Sequence, residues 1–269
     1  MGRVRRTALI LGTITALVGA ALYLQGETFD SRTVGHGYGA LHPVTPGVVR
    51  GNVWFLNNDF DGDADIPSFA YGSATDDPLA GDWDGDGDFT PGVRRGNTWF
   101  LNNDFDGDSD ITPFGYGSAT DFPLVGDWDG DGDFTPGVRR GNTWFLNNDF
   151  DGDSDITPFA FGSASDFPIV GDWDGDGVST PGVIRNGTWY LSNDFDADSD
   201  ITPFANGGPP GSFPLAGDWD GDGDDTPGER DASSNAWALD NNFGGGPFLV
   251  FGYGSATDFP VVGDWDGSA

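Results

Sequence analysis

The string Gly-Asp-Trp-Asp-Gly begins at Gly81, Gly126, Gly171, Gly217 and Gly263, at spacings of 45, 45, 46 and 46 residues. A unit of that size is one supersecondary element that cannot bury its apolar face alone. Such a chain must stack its units as propeller blades or as a solenoid. Cutting at Thr-Pro-Gly yields five units, 45–89, 90–134, 135–179, 180–225 and 226–269. One repeat-built domain fits this length.

Each unit reads as four short strands. In the second unit, Gly92 to Arg95 forms one strand, Gly96-Asn97 a tight turn, and Thr98 to Asn103 a second strand rich in β-formers. Ile111 to Tyr116 and Pro123 to Trp128 follow after polar loops. Gly and Pro punctuate the junctions, and no helical apolar period runs through the repeats. Four strands in about 45 residues is the size of a propeller blade. The predicted fold is therefore all-β, a β-propeller of about five four-stranded blades. The ten Trp fall at two repeated positions, Trp54, Trp99, Trp144, Trp189 and Trp237, then Trp83, Trp128, Trp173, Trp219 and Trp265. Large rings at fixed positions read as blade-to-blade packing, with sugar stacking the lesser alternative.

Ring closure is expected as well. A ring cut before Thr45 brings the segment Pro260 to Trp265 beside Gly47 to Arg50 and leaves no long edge strand exposed. The rival is an open array of units.

The chemistry lies in the acidic loops. The net charge is −33, from 44 acidic and 11 basic residues, and no Lys is present. Only Glu27 and Glu229 are Glu, and nearly all the Asp recur at fixed spacings, as ligands do. Such a chain repels nucleic acid and anionic membrane surfaces. It has no Cys, so disulfides, thiolate metal sites and Cys nucleophiles are excluded, and a cation is the natural staple for an exported domain. In Asp82-Trp83-Asp84-Gly85-Asp86-Gly87-Asp88-Phe89-Thr90, carboxylates at positions 1, 3 and 5 can converge on one hard cation, and Gly at position 6 permits the sharp turn. The pattern recurs as Asp127, Asp129 and Asp131, as Asp172, Asp174 and Asp176, and as Asp218, Asp220 and Asp222. Position 7 (Asp88, Asp133, Val178, Asp224) is expected to offer only its backbone carbonyl. Position 8 (Phe89, Phe134, Ser179, Asp225) reads as outward-facing, and position 9 (Thr90, Thr135, Thr180, Thr226) offers a hydroxyl, directly or through water. Oxygen-only ligands on a flexible loop favour Ca2+ over zinc, copper or magnesium. A fifth loop keeps Asp264 and Asp266 but has Ser268 at the third carboxylate position, so it should bind poorly. Without a cation these loops would be simple Asp-Gly turns.

The string Pro-Leu-Val-Gly-Asp-Trp-Asp-Gly-Asp-Gly, with Thr-Pro-Gly-Val and Trp-Phe-Leu after it, resembles the FG-GAP or VCBS-type repeats of integrin-α propellers and bacterial surface proteins. The resemblance covers 45–269. It implies a propeller with calcium in interstrand loops, held by Asp82, Asp84, Asp86 and their three repeat equivalents, and a role in adhesion or ligand binding. The chain departs from that pattern at position 9, where Thr stands in place of Asp, one charge fewer per site.

A second acidic loop, Asp59-Phe60-Asp61-Gly62-Asp63-Ala64-Asp65, recurs at 104–110, 149–155 and 194–200, while the fifth unit has Asn242-Phe243-Gly244-Gly245-Gly246. It reads as a solvated hairpin, or as a second cation site. An Arg recurs near the end of the first strand, at Arg50, Arg95, Arg140, Arg185 and Arg230, where pairing with a nearby carboxylate is expected.

Residues 1–26 read as a secretory signal or a retained membrane anchor. Arg3, Arg5 and Arg6 precede an apolar run of about 18 residues from Thr7 to Leu24, with small residues placed for cleavage after Ala20 or Ala21. In either case the remainder is exported, to the medium or the cell surface. Residues 27–44 form a linker, in which Gly37-Tyr38-Gly39 echoes Gly115-Tyr116-Gly117. The echo marks either a decayed half-unit or plain linker.

The leading functional reading is a calcium-binding binding or adhesion module whose partner is an extracellular protein or glycan, with membrane contact only through the N-terminal segment. The alternative is a five-bladed lectin that reads glycans with repeated aromatic pockets. A glycoside hydrolase would need an acid/base pair set apart from the repeats. Only Glu27, His36, His42 and Glu229 stand outside the pattern, so no enzyme activity is expected.

Overall fold

The computed structural model describes residues 43–267 except 207, 210 and 232. The N-terminal segment, most of the linker and Ser268 lie outside the described residues. In chain order the strands are β1 (Thr45–Arg50), β2 (Val53–Leu56), β3 (Ile66–Ala70), β4 (Asp77–Gly81), β5 (Thr90–Arg95), β6 (Thr98–Leu101), β7 (Ile111–Gly115), β8 (Phe122–Gly126), β9 (Thr135–Arg140) and β10 (Thr143–Leu146). They continue as β11 (Phe159–Ala160), β12 (Phe167–Gly171), β13 (Thr180–Arg185), β14 (Thr188–Leu191), β15 (Phe204–Ala205), β16 (Phe213–Gly217), β17 (Thr226–Asp231), β18 (Ala236–Leu239), β19 (Leu249–Gly252) and β20 (Phe259–Gly263).

These form five antiparallel four-stranded sheets, β20-β1-β2-β3, β4-β5-β6-β7, β8-β9-β10-β11, β12-β13-β14-β15 and β16-β17-β18-β19. The inner strands β4, β8, β12, β16 and β20 contact one another in a closed circuit. The protein is a five-bladed β-propeller. The sequence units and the blades are offset by one strand: a unit supplies three strands to one blade and the inner strand of the next. The ring closes by the same rule. β20 pairs with β1, with Thr45 opposite Gly263 and Val49 opposite Phe259. The open array is thereby excluded.

The core lies between blades. All ten Trp rings are at most 2 % exposed, so they fill the interfaces and none remains to stack on a sugar. The indole N–H of Trp83 donates to the Thr90 carbonyl at 3.1 Å, and that of Trp99 to the Tyr116 carbonyl at 3.2 Å, so these buried donors are satisfied. Glycine is required opposite the indoles: a Cβ at Gly92 would lie 2.7 Å from Trp83 and 3.0 Å from Leu101.

Two arginine sets hold the links between blades. Arg50, Arg95, Arg140 and Arg185 grip Asp258, Asp76, Asp121 and Asp166, as in the 2.8 and 2.7 Å bonds from Arg140 to the two carboxylate oxygens of Asp121. These aspartates also cap their own links, Asp121 accepting from Ser118 N at 2.8 Å, and the arginine holds each carboxyl below its usual range. Arg230 does not belong to this set. The hairpin between β17 and β18 is longer than its counterparts, and Asp231 takes the paired position. Arg230 instead matches Arg94 and Arg139, three buried guanidinium groups that bond to backbone carbonyls of the following link. Arg94 reaches the Asp121 carbonyl at 2.7 Å and Arg230 the Asp258 carbonyl at 2.9 Å.

Candidate metal centre

Every inner strand ends in a glycine, and the acidic loop follows at once, so the loops gather at one mouth of the ring. In the first, Asp82 is buried and turns its carboxylate back on its own loop. It accepts from Gly85 N at 2.8 Å, Asp86 N at 3.2 Å and Gly87 N at 2.8 Å. The turn needs left-handed backbone at Gly85 (φ 69°) and Gly87 (φ 100°), which only glycine adopts without strain. Asp127, Asp172 and Asp218 repeat the arrangement.

Carboxylate oxygens of Asp82, Asp84 and Asp86 lie within 4.8 Å of one another, as do those of the triplets at 127, 172 and 218. Among the described residues these four triplets alone bring metal-ligating groups together in this way. Crowded carboxylates disfavour charge. Burial, and then the neighbouring aspartates, pushes Asp84 and Asp129 up, and burial pushes Asp218 up to about 6 against its three backbone donors. A hard cation with oxygen preference fits this donor set, since it neutralises what the protein leaves unpaired.

Position 7 does more than the sequence reading allowed. Its side chain turns to the preceding loop. A Cβ on Gly85 would collide with the carboxylate of Asp133, one on Gly130 would lie 3.2 Å from Val178, and one on Gly267 would collide with Asp88. Burial and the carboxylates of both loops raise Asp88 and Asp133. Asp224 is pushed up to about 7 by burial and by Asp222.

Position 8 is not outward-facing. Its backbone N–H donates to the carbonyl at position 1 of the preceding loop, in Phe134 to Asp82, Ser179 to Asp127 and Asp225 to Asp172, each at 2.6 Å. Phe89 to Asp264 at 2.6 Å and Val44 to Asp218 at 2.7 Å complete a circuit of five bonds. The side chains pack inward, with Phe89 and Phe134 edge to face at 4.7 Å and Ser179 buried. Asp225 is half-buried, bonded by Asp172 N at 3.0 Å, and pushed up to about 7 by burial, then by Asp218 and Asp172. An apolar ring carrying one acid and one Ser left no period for sequence reasoning to detect.

At position 9 the hydroxyls of Thr90 and Thr180 donate to the carbonyls of Gly81 and Gly171 at 3.4 and 3.3 Å, that of Thr135 donates to the Asn147 carbonyl at 2.7 Å, and Thr226 is buried in the same place. Thr45 makes the same bond to Gly263 at 3.1 Å, although residues 37–44 carry no Asp. The threonine therefore serves the strand pair, outside the carboxylate triplet.

The second acidic loops are built as chains of side-chain turns. Asp59 accepts from Asp61 N and Asp61 from Asp63 N, both at 2.8 Å, while Asp65 accepts from Asn58 N. Their anchor is the phenylalanine: Phe105 packs on Phe69 of the preceding blade at 5.7 Å, and Phe243 on Phe204 at 5.6 Å where the acids are missing. Among the described residues these loops do not bring three carboxylates together as the first set does. Glu229 sits on β17 and accepts from Gly208 N at 3.3 Å.

Comparison with protein-family models, curated proteins and solved structures finds no match.

Proposed function

We propose that the protein is a calcium-binding propeller of the FG-GAP or VCBS type, exported to the medium or the cell surface and acting there as a binding or adhesion module. The observation that carries this reading is the set of four converging Asp triplets at one mouth of the ring. Each supplies three carboxylates and a glycine-permitted turn, the inventory of a flexible hard-cation loop. Thr at position 9 leaves each site short of one carboxylate, in keeping with the weak range of extracellular modules, about 10⁻⁴ to 10⁻³ M. Export rests on the N-terminal basic and apolar run, and adhesion on the resemblance. A glycan reader built on the repeated Trp is the weaker reading, because those rings are buried.

Calcium titration followed by calorimetry, with elemental analysis of the metal-free protein, tests the central claim. About four ions should bind per chain, and EDTA should lower Tm, because only the native state gathers the ligands. An unchanged Tm in verified calcium-free protein rejects it.

A further inference from the structure

The mouth opposite the acidic loops has a different chemistry. The inner strands begin with Asp77, Phe122, Phe167, Phe213 and Phe259. Four of these rings form an edge-to-face chain, Phe122 to Phe167 at 5.4 Å, Phe167 to Phe213 at 5.7 Å and Phe213 to Phe259 at 5.2 Å. The circuit is open at one place. β4 lies between β20 and β8, so Asp77 stands between Phe259 and Phe122. Those two flanking rings are the exposed ones, at 39 % and 41 %, and large apolar side chains are rarely left so in a group. Below them opens a cavity of about 520 Å³, within the size range of small-ligand sites.

The wall is selective. Pro91 presents its carbonyl to Asn102 N on the β6 side, at 3.1 Å, so the Ala80–Pro91 and Pro78–Val93 pairs of β4 and β5 are the non-hydrogen-bonded ones. The backbone at Pro78 therefore faces the axis, and the same holds for Pro123, Pro168, Pro214 and Pro260. Proline has no N–H, so this level offers five carbonyl acceptors and no donor. The only charged groups in the lining are Asp77 and Asp121. Asp121 is spent on Arg140, whereas Asp77 is exposed and has only Arg94 at 3.9 Å, a guanidinium already bonded to two carbonyls. Deeper residues such as Val125, Val170 and Val262 are apolar.

We propose that this mouth binds an organic ammonium carrying a short apolar chain. The ammonium sits beside Asp77 between the two exposed phenyl rings, above the proline carbonyls, and the chain enters the cavity. A cation over an aromatic face beside a carboxylate is held by both, while an anion at this rim meets the Asp77 carboxylate and the proline carbonyls, the nearest axis-facing N–H groups lying a level deeper at Ala80, Val125 and their counterparts. The site lies at the far end of the ring from the acidic loops and does not depend on their metal.

Isothermal titration of the full chain, in saturating calcium, with octylammonium, 1-octanol and octanoate tests this. Octylammonium should bind once per chain, at least tenfold tighter than octanol, with octanoate not binding. Asp77→Asn should bring octylammonium down to the level of octanol, and Asp77→Phe, which closes the ring of phenyls, should do the same. Asp61→Asn, an exposed acid in a hairpin loop, should change nothing. Equal binding of octylammonium and octanol to the natural chain overturns the proposal, since the cavity is then only an apolar hole. So does an affinity that Asp77→Asn leaves unchanged, because the cation then sits elsewhere on an acidic surface. Absence of octylammonium binding overturns it outright.

Discussion

At the scale of single residues, the metal ligands and the residues that hold the loops are separable. Asp84→Ala removes one carboxylate from one triplet and should reduce the stoichiometry by one ion, leaving three, because repeat units couple mainly to their neighbours. Counting bound calcium by elemental analysis after dialysis checks it. Phe89→Ser acts differently. Phe89 packs against Phe134 at 4.7 Å and belongs to a core cluster, so its loss should cost about 2 kcal/mol in metal-free protein, read from chemical denaturation. The sequence placed this position outward because its identity varies. The physical reason for the variation is that the part repeated in every unit is the backbone N–H, which bonds the preceding loop whatever side chain the residue carries. Protonation gives a further outcome. In metal-free protein Asp218, Asp224 and Asp225 have pKa values near 6 to 7 in the fold, above the ordinary carboxylate value, so the native state binds more protons than the unfolded chain between about pH 4 and 7. These groups therefore destabilise the fold as pH rises through that window. Asp76, Asp121, Asp166 and Asp258, held low by arginine, act oppositely, and the stability they give is lost as pH falls below the usual carboxylate range. Metal-free Tm should fall between pH 5 and pH 7.5, and calcium should reverse that fall, as a pH series of melts with and without EDTA will reveal.

At the scale of elements, strands and hairpins were legible because their causes are local. Thr98 to Leu101 is a run of β-formers after a glycine turn, and the structure places β6 there. The Asp triplets were legible because the carboxylates two residues apart come with glycines at Gly85 and Gly87, whose left-handed backbone folds the loop back on Asp82. The Arg230 assignment failed because Arg230 stands one residue earlier in β17 than Arg95 does in β5, opposite Phe213 as Arg94 is opposite Asp77, and one residue along a strand moves a side chain to the other face. The second acidic loops illustrate how composition misleads. Their dense carboxylates suggest a site, yet the unit without them keeps its turn, held by Phe243 against Phe204. Replacing Asp104, Asp106 and Asp108 together by Asn should therefore leave both Tm and calcium stoichiometry nearly unchanged. Phe105→Ala should lower stability by about 2 kcal/mol, because it removes the ring from its contact with Phe69. Paired melts of the two variants separate the acid from its anchor.

At the scale of the whole molecule, what the repeat could not specify was where one blade ends and the next begins. The sequence period is indifferent to phase, and a unit cut at Thr-Pro-Gly looks complete. Antiparallel pairing decides the phase: Gly81 lies opposite Thr90, so the strand that closes one unit is the inner strand of the next blade. Every blade is thus stitched from two consecutive units, and the ring differs only in that its last stitch, β20 on β1, joins distant parts of the chain. That stitch carries five residue pairs from Thr45–Gly263 to Val49–Phe259, the Thr45 hydroxyl bond to Gly263, and Arg50 on Asp258. It also buries Val261 and Trp265 in the cluster that holds Trp54 and Leu56. Deleting residues 260–269 strips the inner strand from one blade, opens an edge on β1 and leaves that cluster half empty. The closed ring requires the whole domain to suffer, so Tm should drop sharply and the metal sites of distant loops should weaken with it. The control is Asp264→Asn with Asp266→Asn, which spares the strand and removes only the incomplete fifth loop's charge; it should melt near the natural chain. A truncated protein that stayed monomeric at the natural Tm would mean that β20 contributes nothing to the ring, and the account of closure given by the β1–β20 pairing would be wrong.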